Sequence, residues 1–103
     1  MAKTRFGYTP THPGEVLKDE IESRNITQRQ LAERIDMPYK ALNDLLNGRR
    51  SMSTTTAMMI EAALDIPAES LMKLQLKYNM QMAQRDNSFM ERLNNIRHYA
   101  ALL

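Results

Sequence analysis

Five hydrogen-bonding side chains, Tyr39, Lys40, Asn43, Asp44 and Asn47, fall on one side of a helical repeat, and two arginines, Arg49 and Arg50, follow at once. Groups of this kind with little apolar content are what a helix entering the major groove of DNA must present. The arginines stand where they could hold phosphates on either side of that groove. Tyr39 could stack on a base or simply shield the start of its helix. Asp44 counts against the DNA reading, because a carboxylate near phosphates is repulsive unless it accepts from a cytosine amine. A polar outer face also occurs on short helices of many small proteins with no such role, and periodicity leaves both readings open.

Those residues must be held by two short helices. The stretch "TQRQLAERIDMPYKALNDLLNG", residues 27–48, has the periodicity of one long amphipathic helix, yet Asp36-Met37-Pro38 interrupts it. Thr27-Gln28-Arg29-Gln30 has the spacing of a capping box. Pro38 should stop the first helix, because the residue before a proline is pushed out of the α region, and its fixed φ suits the first turn of a second. Gly48 is expected to end that second helix in the left-handed conformation. Counting Gln28 as the first position, the inward places are filled by Leu31, Ala32, Ile35, Met37, Leu42 and Leu45, with Arg29, Glu33 and Arg34 outward. This is the pattern of a helix-turn-helix. The candidate DNA contacts are Gln28, Arg29, Pro38, Tyr39, Lys40, Asn43, Asp44, Asn47, Arg49 and Arg50.

The rest of the chain reads as helical too. Residues 1–11 form an irregular arm. His12-Pro13-Gly14-Glu15 opens a first helix, with His12 as a cap rather than a metal ligand and Val16, Leu17 and Ile21 as its apolar stripe, ending near Arg24-Asn25. Ser53 caps a fourth helix through about Leu64, packing Ala57, Ile60 and Leu64, and Thr54 to Thr56 are expected as exposed neighbours of the cap rather than a phosphorylation site. Pro67 starts a fifth that runs to about Ala83. Its segment "LQLKYNMQM" alternates like a strand, but it lacks β-branched residues and is rich in helix formers, so a helix is expected. That helix carries two apolar stripes, Leu71, Leu74, Tyr78 and Met82 on one side and Leu76, Met80 and Ala83 on another. Ser88-x-x-Glu91 has capping-box spacing and should open a sixth, amphipathic helix with Phe89, Leu93, Ile96, Ala100 and Leu103 in register. Such surplus apolar surface implies a homodimer, with Leu76, Tyr78, Met80, Phe89, Leu93 and Ile96 at the interface. The expected organisation is an arm (1–11), a helix-turn-helix domain with an extended fifth helix (12–83) and a C-terminal amphipathic helix (84–103).

Composition sets the outer bounds. At 103 residues with three Gly and four Pro, the chain is one small all-α domain with an appendage. It has no Cys, and its two histidines stand 86 positions apart, so neither a disulfide framework nor a metal site is expected, and no cofactor is implied. No nucleophile–base pair or phosphate loop suggests an enzyme. Of nine methionines, those at 58, 59, 72, 80 and 82 are expected to fill cores and interfaces. No apolar run approaches the roughly 20 residues of a membrane span and no signal peptide opens the chain, so a cytoplasmic protein is expected. The net charge is +2, and the excess sits in residues 1–50, which hold nine Lys/Arg against seven Asp/Glu, around Lys3, Arg5, Lys40, Arg49 and Arg50.

The run "ITQRQLAERIDMPYKALNDLLNGRR" resembles the helix-turn-helix of the Xre/Cro-type repressors. "HPGEVL" at 12–17 resembles the opening of their HigA antitoxin branch, and "LMKLQLKYNM" at 71–80 the segment that follows the five-helix domain there. The resemblance covers about residues 12–80. It implies a lambda-repressor-like five-helix domain, a dimer on inverted-repeat operator DNA, and a HigB-like ribonuclease toxin that the protein neutralises while repressing the shared operon. The chain departs from the pattern at Asp36 (usually a turn glycine), Pro38 (usually a Ser or Thr cap), Asp44 (often polar or basic) and Met72 (usually Trp). These departures bear on affinity and operator sequence. Asp36, Pro38 and Asp44 motivate an alternative, a protein-interaction module without DNA binding, and a plain Xre-family regulator without a toxin partner is another.

Overall fold

A computed structural model describes residues 10–102, and every regular element among them is an α-helix: α1 (Pro13–Ser23), α2 (Gln28–Arg34), α3 (Tyr39–Leu46), α4 (Thr54–Leu64), α5 (Ala68–Gln84) and α6 (Asn87–Ala101). The arm at residues 1–9 and Leu103 lie outside the described residues. None of the described helices is long and apolar enough to cross a membrane.

Three helices end in the same way, and their ends set the geometry that follows. After α1, Asn25 takes φ 58° while its N–H bonds the Glu22 carbonyl and that of Ile26 reaches Ile21. After α2, Asp36 takes φ 52° with the matching bonds to Glu33 and from Met37 to Ala32. After α3, Gly48 takes φ 74°, with bonds to Leu45 and from Arg49 to Asp44. Each is a Schellman turn, which satisfies the last carbonyls of a helix through one left-handed residue.

The break between α2 and α3 therefore differs from the sequence expectation. The helix is stopped by Asp36, before the proline is reached. Pro38 is the N-cap of α3 rather than a residue of its first turn, and it supplies no side-chain bond. A second difference lies at α6, where the cap is Asp86, whose carboxylate accepts from Phe89 N–H at 3.1 Å. Ser88 is already inside the helix, because Asp86 offers the same acceptor two residues earlier.

The chain divides into two compact units, Thr11–Leu76 and another to which Lys77 and the residues after it belong. The core of the first gathers Leu17 and Ile21 from α1, Leu31, Ala32 and Ile35 from α2, Leu42, Leu45 and Leu46 from α3, Met52, then Ala57, Ile60 and Leu64 from α4 and Leu71 from α5. Met37 and Met72 pack half-buried against it. Val16 is exposed, since it stands about 100° around α1 from Leu17. Met58, Met59, Met80 and Met82 are exposed as well, and the core methionine is Met52. Thr56, beside the Ser53 cap, is buried rather than exposed.

Candidate nucleic-acid interface

The surface in question is α3 with the two residues that follow Gly48. Leu42, Leu45 and Leu46 fix its inner side in the core, which turns Tyr39, Lys40, Asn43, Asp44 and Asn47 away from it. α1 packs against α3 closely enough that a methyl group at Gly14 would collide with the Leu45 carbonyl. Only glycine permits that approach.

The outward side chains bond to one another. The Asn43 amide donates from Nδ2 to Gln28 Oε1 at 2.9 Å, and its Oδ1 accepts from Arg49 Nη2 at 3.1 Å. Both ends of the amide are thus oriented, and each keeps one hydrogen-bonding valence for a base edge. Asp44 accepts from Lys40 Nζ on Oδ2 at 3.3 Å and from Arg49 Nε on Oδ1 at 3.2 Å. The Lys40 hydrogen bond above all holds its carboxyl below the usual carboxylate range, desolvation opposes it, and Arg49 adds to the lowering. Asn47 donates back to the Asn43 carbonyl at 2.8 Å. Tyr39 is exposed, and the Arg29 guanidinium lies over its ring, 5.5 Å from the centroid. Arg50 is exposed, as is Pro38 at the head of the helix.

The structure thus brings Gln28, Asn43, Asp44, Lys40 and Arg49 into one bonded chain and pairs Arg29 with Tyr39, whereas the Asn47 side chain bonds back to the Asn43 carbonyl.

Two residues outside the helix-turn-helix hold the arginine-bearing segment in place. His12 caps α1 by accepting from Gly14 N–H on Nδ1 at 2.9 Å, its ring lies against Gly48, and it hydrogen-bonds with the backbone of Arg50. Burial pushes the imidazole below its ordinary value, against the opposing effects of Glu15 and the Arg50 bond. With Nδ1 accepting from Gly14, the neutral ring carries its proton on Nε2. On α5, Gln75 is buried and its Oε1 accepts from Met52 N–H at 2.7 Å. In the sequence His12 is legible as a cap but not for its hold on Arg50, and Gln75 is not legible as a site residue. The available signal for the latter was register, since Gln75 stands one turn beyond the core residue Leu71.

The six residues expected at a dimer interface are divided. Leu76, Met80, Phe89 and Ile96 are exposed, while Tyr78 and Leu93 are half-buried. Met80, Ala83, Phe89, Met90 and Leu93 line a largely apolar cavity of about 590 Å³ together with Gln84, Asn94 and Arg97.

The helix-turn-helix family HTH_3 matches residues 17–71. Virulence-associated protein A of Dichelobacter nodosus is 36% identical over 64 residues, or 61% of this chain, and the match spans 60% of that relative, under two thirds of its length. The solved structure of an addiction-module antidote protein of the HigA family from Coxiella burnetii superposes with a TM-score of 0.72 at 29% identity, covering 82% of this chain and 95% of that one. Pseudomonas aeruginosa antitoxin HigA, solved with higBA promoter DNA, gives 0.73 at 29% identity over 86% of this chain and 92% of that one.

Proposed function

This chain belongs to the helix-turn-helix family HTH_3, and we propose that it is a sequence-specific DNA-binding repressor and the antitoxin of a HigB–HigA-like pair. The observation that carries the DNA part is the oriented amide of Asn43, buttressed by Gln28 and Arg49 on an otherwise solvent-facing helix. Lys40, Asn43 and Asp44 face base edges in the major groove, and Arg49 and Arg50 take phosphates. The similarity to an antitoxin solved on promoter DNA supports the same reading. The departures from the family pattern are compatible with it. Asp36 adopts the left-handed turn, and Asp44 is neutralised by two cations.

The toxin partner is a HigB-like ribonuclease, and the antitoxin represses the operon that encodes both. α1 offers such a basic partner an acidic edge. Glu15, Asp19 and Glu22 line a groove with Lys18, Leu46 and Asn47, while Glu20 is turned to Arg24 at 2.9 Å. Footprinting of the region upstream of the gene at low salt tests the repressor. An unprotected region removes it. Co-expression tests the antitoxin, since the adjacent gene product should arrest growth alone and be harmless beside this protein. If growth is not rescued, the antitoxin role is lost and DNA binding survives.

A further inference from the structure

We propose that Asp44 is a specificity-determining residue, which withholds the charges of Lys40 and Arg49 from unselected DNA and releases one of them where a cytosine amine takes its place. This rests on the DNA-binding reading above and assigns a role that reading leaves open.

On a surface meant for a polyanion, a carboxylate between two cations is costly unless it discriminates. Asp44 lies between a lysine one turn before it and an arginine just past the helix end, at 3.3 and 3.1 Å. Its side chain is 26% exposed, against 87% for Lys40 and 60% for Arg49, so the carboxylate sits beneath two long side chains that could otherwise swing outward. Arg49 also spans to Asn43 Oδ1, so the bond that occupies the arginine also orients the base-reading amide. On unselected sequence the three groups satisfy one another and present about one net positive charge rather than two. Attraction to DNA of any sequence comes from cations that displace counterions from phosphates, so pairing them internally lowers it. Where a cytosine lies opposite, its N4 amine can donate to Asp44. One cation can then move to a phosphate without stranding the carboxylate. A guanine or thymine there offers only acceptors in the groove, and the carboxylate is repelled.

Asp44→Asn removes the charge, keeps the shape and touches no core residue. Binding is measured across a salt series to two duplexes, one that the wild-type protein enriches from a random-sequence library and a scrambled version of it. For Asp44→Asn the affinity for the scrambled duplex should rise roughly three- to tenfold at low salt, with a salt slope steeper by about one to two. The preference for the enriched duplex should fall by a comparable factor. Adding Lys40→Gln to Asp44→Asn should return the slope toward the wild-type value. The proposal is overturned if Asp44→Asn leaves the scrambled-duplex affinity and slope unchanged, or shifts both duplexes equally, while the wild type still selects a sequence. If the wild type enriches no sequence and binds neither duplex, the DNA-binding reading itself falls and takes this role with it.

Discussion

At the scale of single residues, the cations and amides of the α3 surface should behave differently when removed. Arg50 is exposed and holds its place through its backbone, so Arg50→Ala should weaken binding to every duplex and lower the salt slope by about one. Asn43→Ala should instead change which sequence is preferred, by roughly 1–3 kcal/mol at one base pair. Binding titrations on operator variants separate the two patterns. His12 supplies a pH dependence. Its folded pKa lies below the ordinary value of about 6.5, so the unfolded chain binds the extra proton first. Its contribution to stability is therefore complete above about pH 6.5 and lost as pH falls through that value toward the folded pKa. His12→Asn can still cap α1 but does not titrate. Denaturation midpoints of the wild type should drop between neutral and mildly acid pH, and this window should flatten in the variant.

At the scale of elements, the turns carry the recognition helix. Asp36 holds φ 52° where a glycine would be unstrained, so Asp36→Gly should raise stability by about 0.5–1 kcal/mol and leave α3 in place. Gln75 joins α5 to the segment that bears the arginines. Gln75→Leu keeps the bulk but leaves the buried Met52 N–H without its acceptor, a cost of about 1–3 kcal/mol. Faster hydrogen exchange at the Met52 amide, beside a lower denaturation midpoint, is the expected signature. Unchanged exchange there would separate Gln75 from the arginine segment.

At the scale of the whole molecule, the exposed side chains of α5 and α6 bear on assembly. Leu76, Met80, Phe89, Ile96, Tyr99 and Leu102 are all exposed in the single chain, and α6 has no buried residue. In the proposed homodimer the twin covers part of this surface, and two-fold symmetry sets the two α3 helices about 34–36 Å apart on an inverted repeat. Leu76→Glu or Ile96→Glu should dissociate that dimer, because it would bury an unpaired charge, while the core of the Thr11–Leu76 unit is untouched. Tyr78 is the poorer probe, being half-buried and engaged within the chain. Sedimentation that finds the wild type monomeric at micromolar concentration removes the dimer.

Residue order alone is enough to read the six helices, the inward residues of the helix-turn-helix and the polar row along α3. All of these follow from apolar periodicity and local capping, which depend on neighbours three or four residues apart. It overruled an apparent strand at 74–82 correctly, because helix propensity and the absence of β-branching are local properties too. It placed the helix stop at Pro38 and the last cap at Ser88, where a competing local group, Asp36 or Asp86, in fact takes the role. Which polar groups meet depends instead on how the helices pack. Gln28 and Asn43 are 15 residues apart, and Met52 and Gln75 are 23 apart, so no periodicity links them. The state of Asp44 belongs here as well. From its type alone it opposes phosphate binding, and only the positions of Lys40 and Arg49 around it turn that charge into a held, neutralised one.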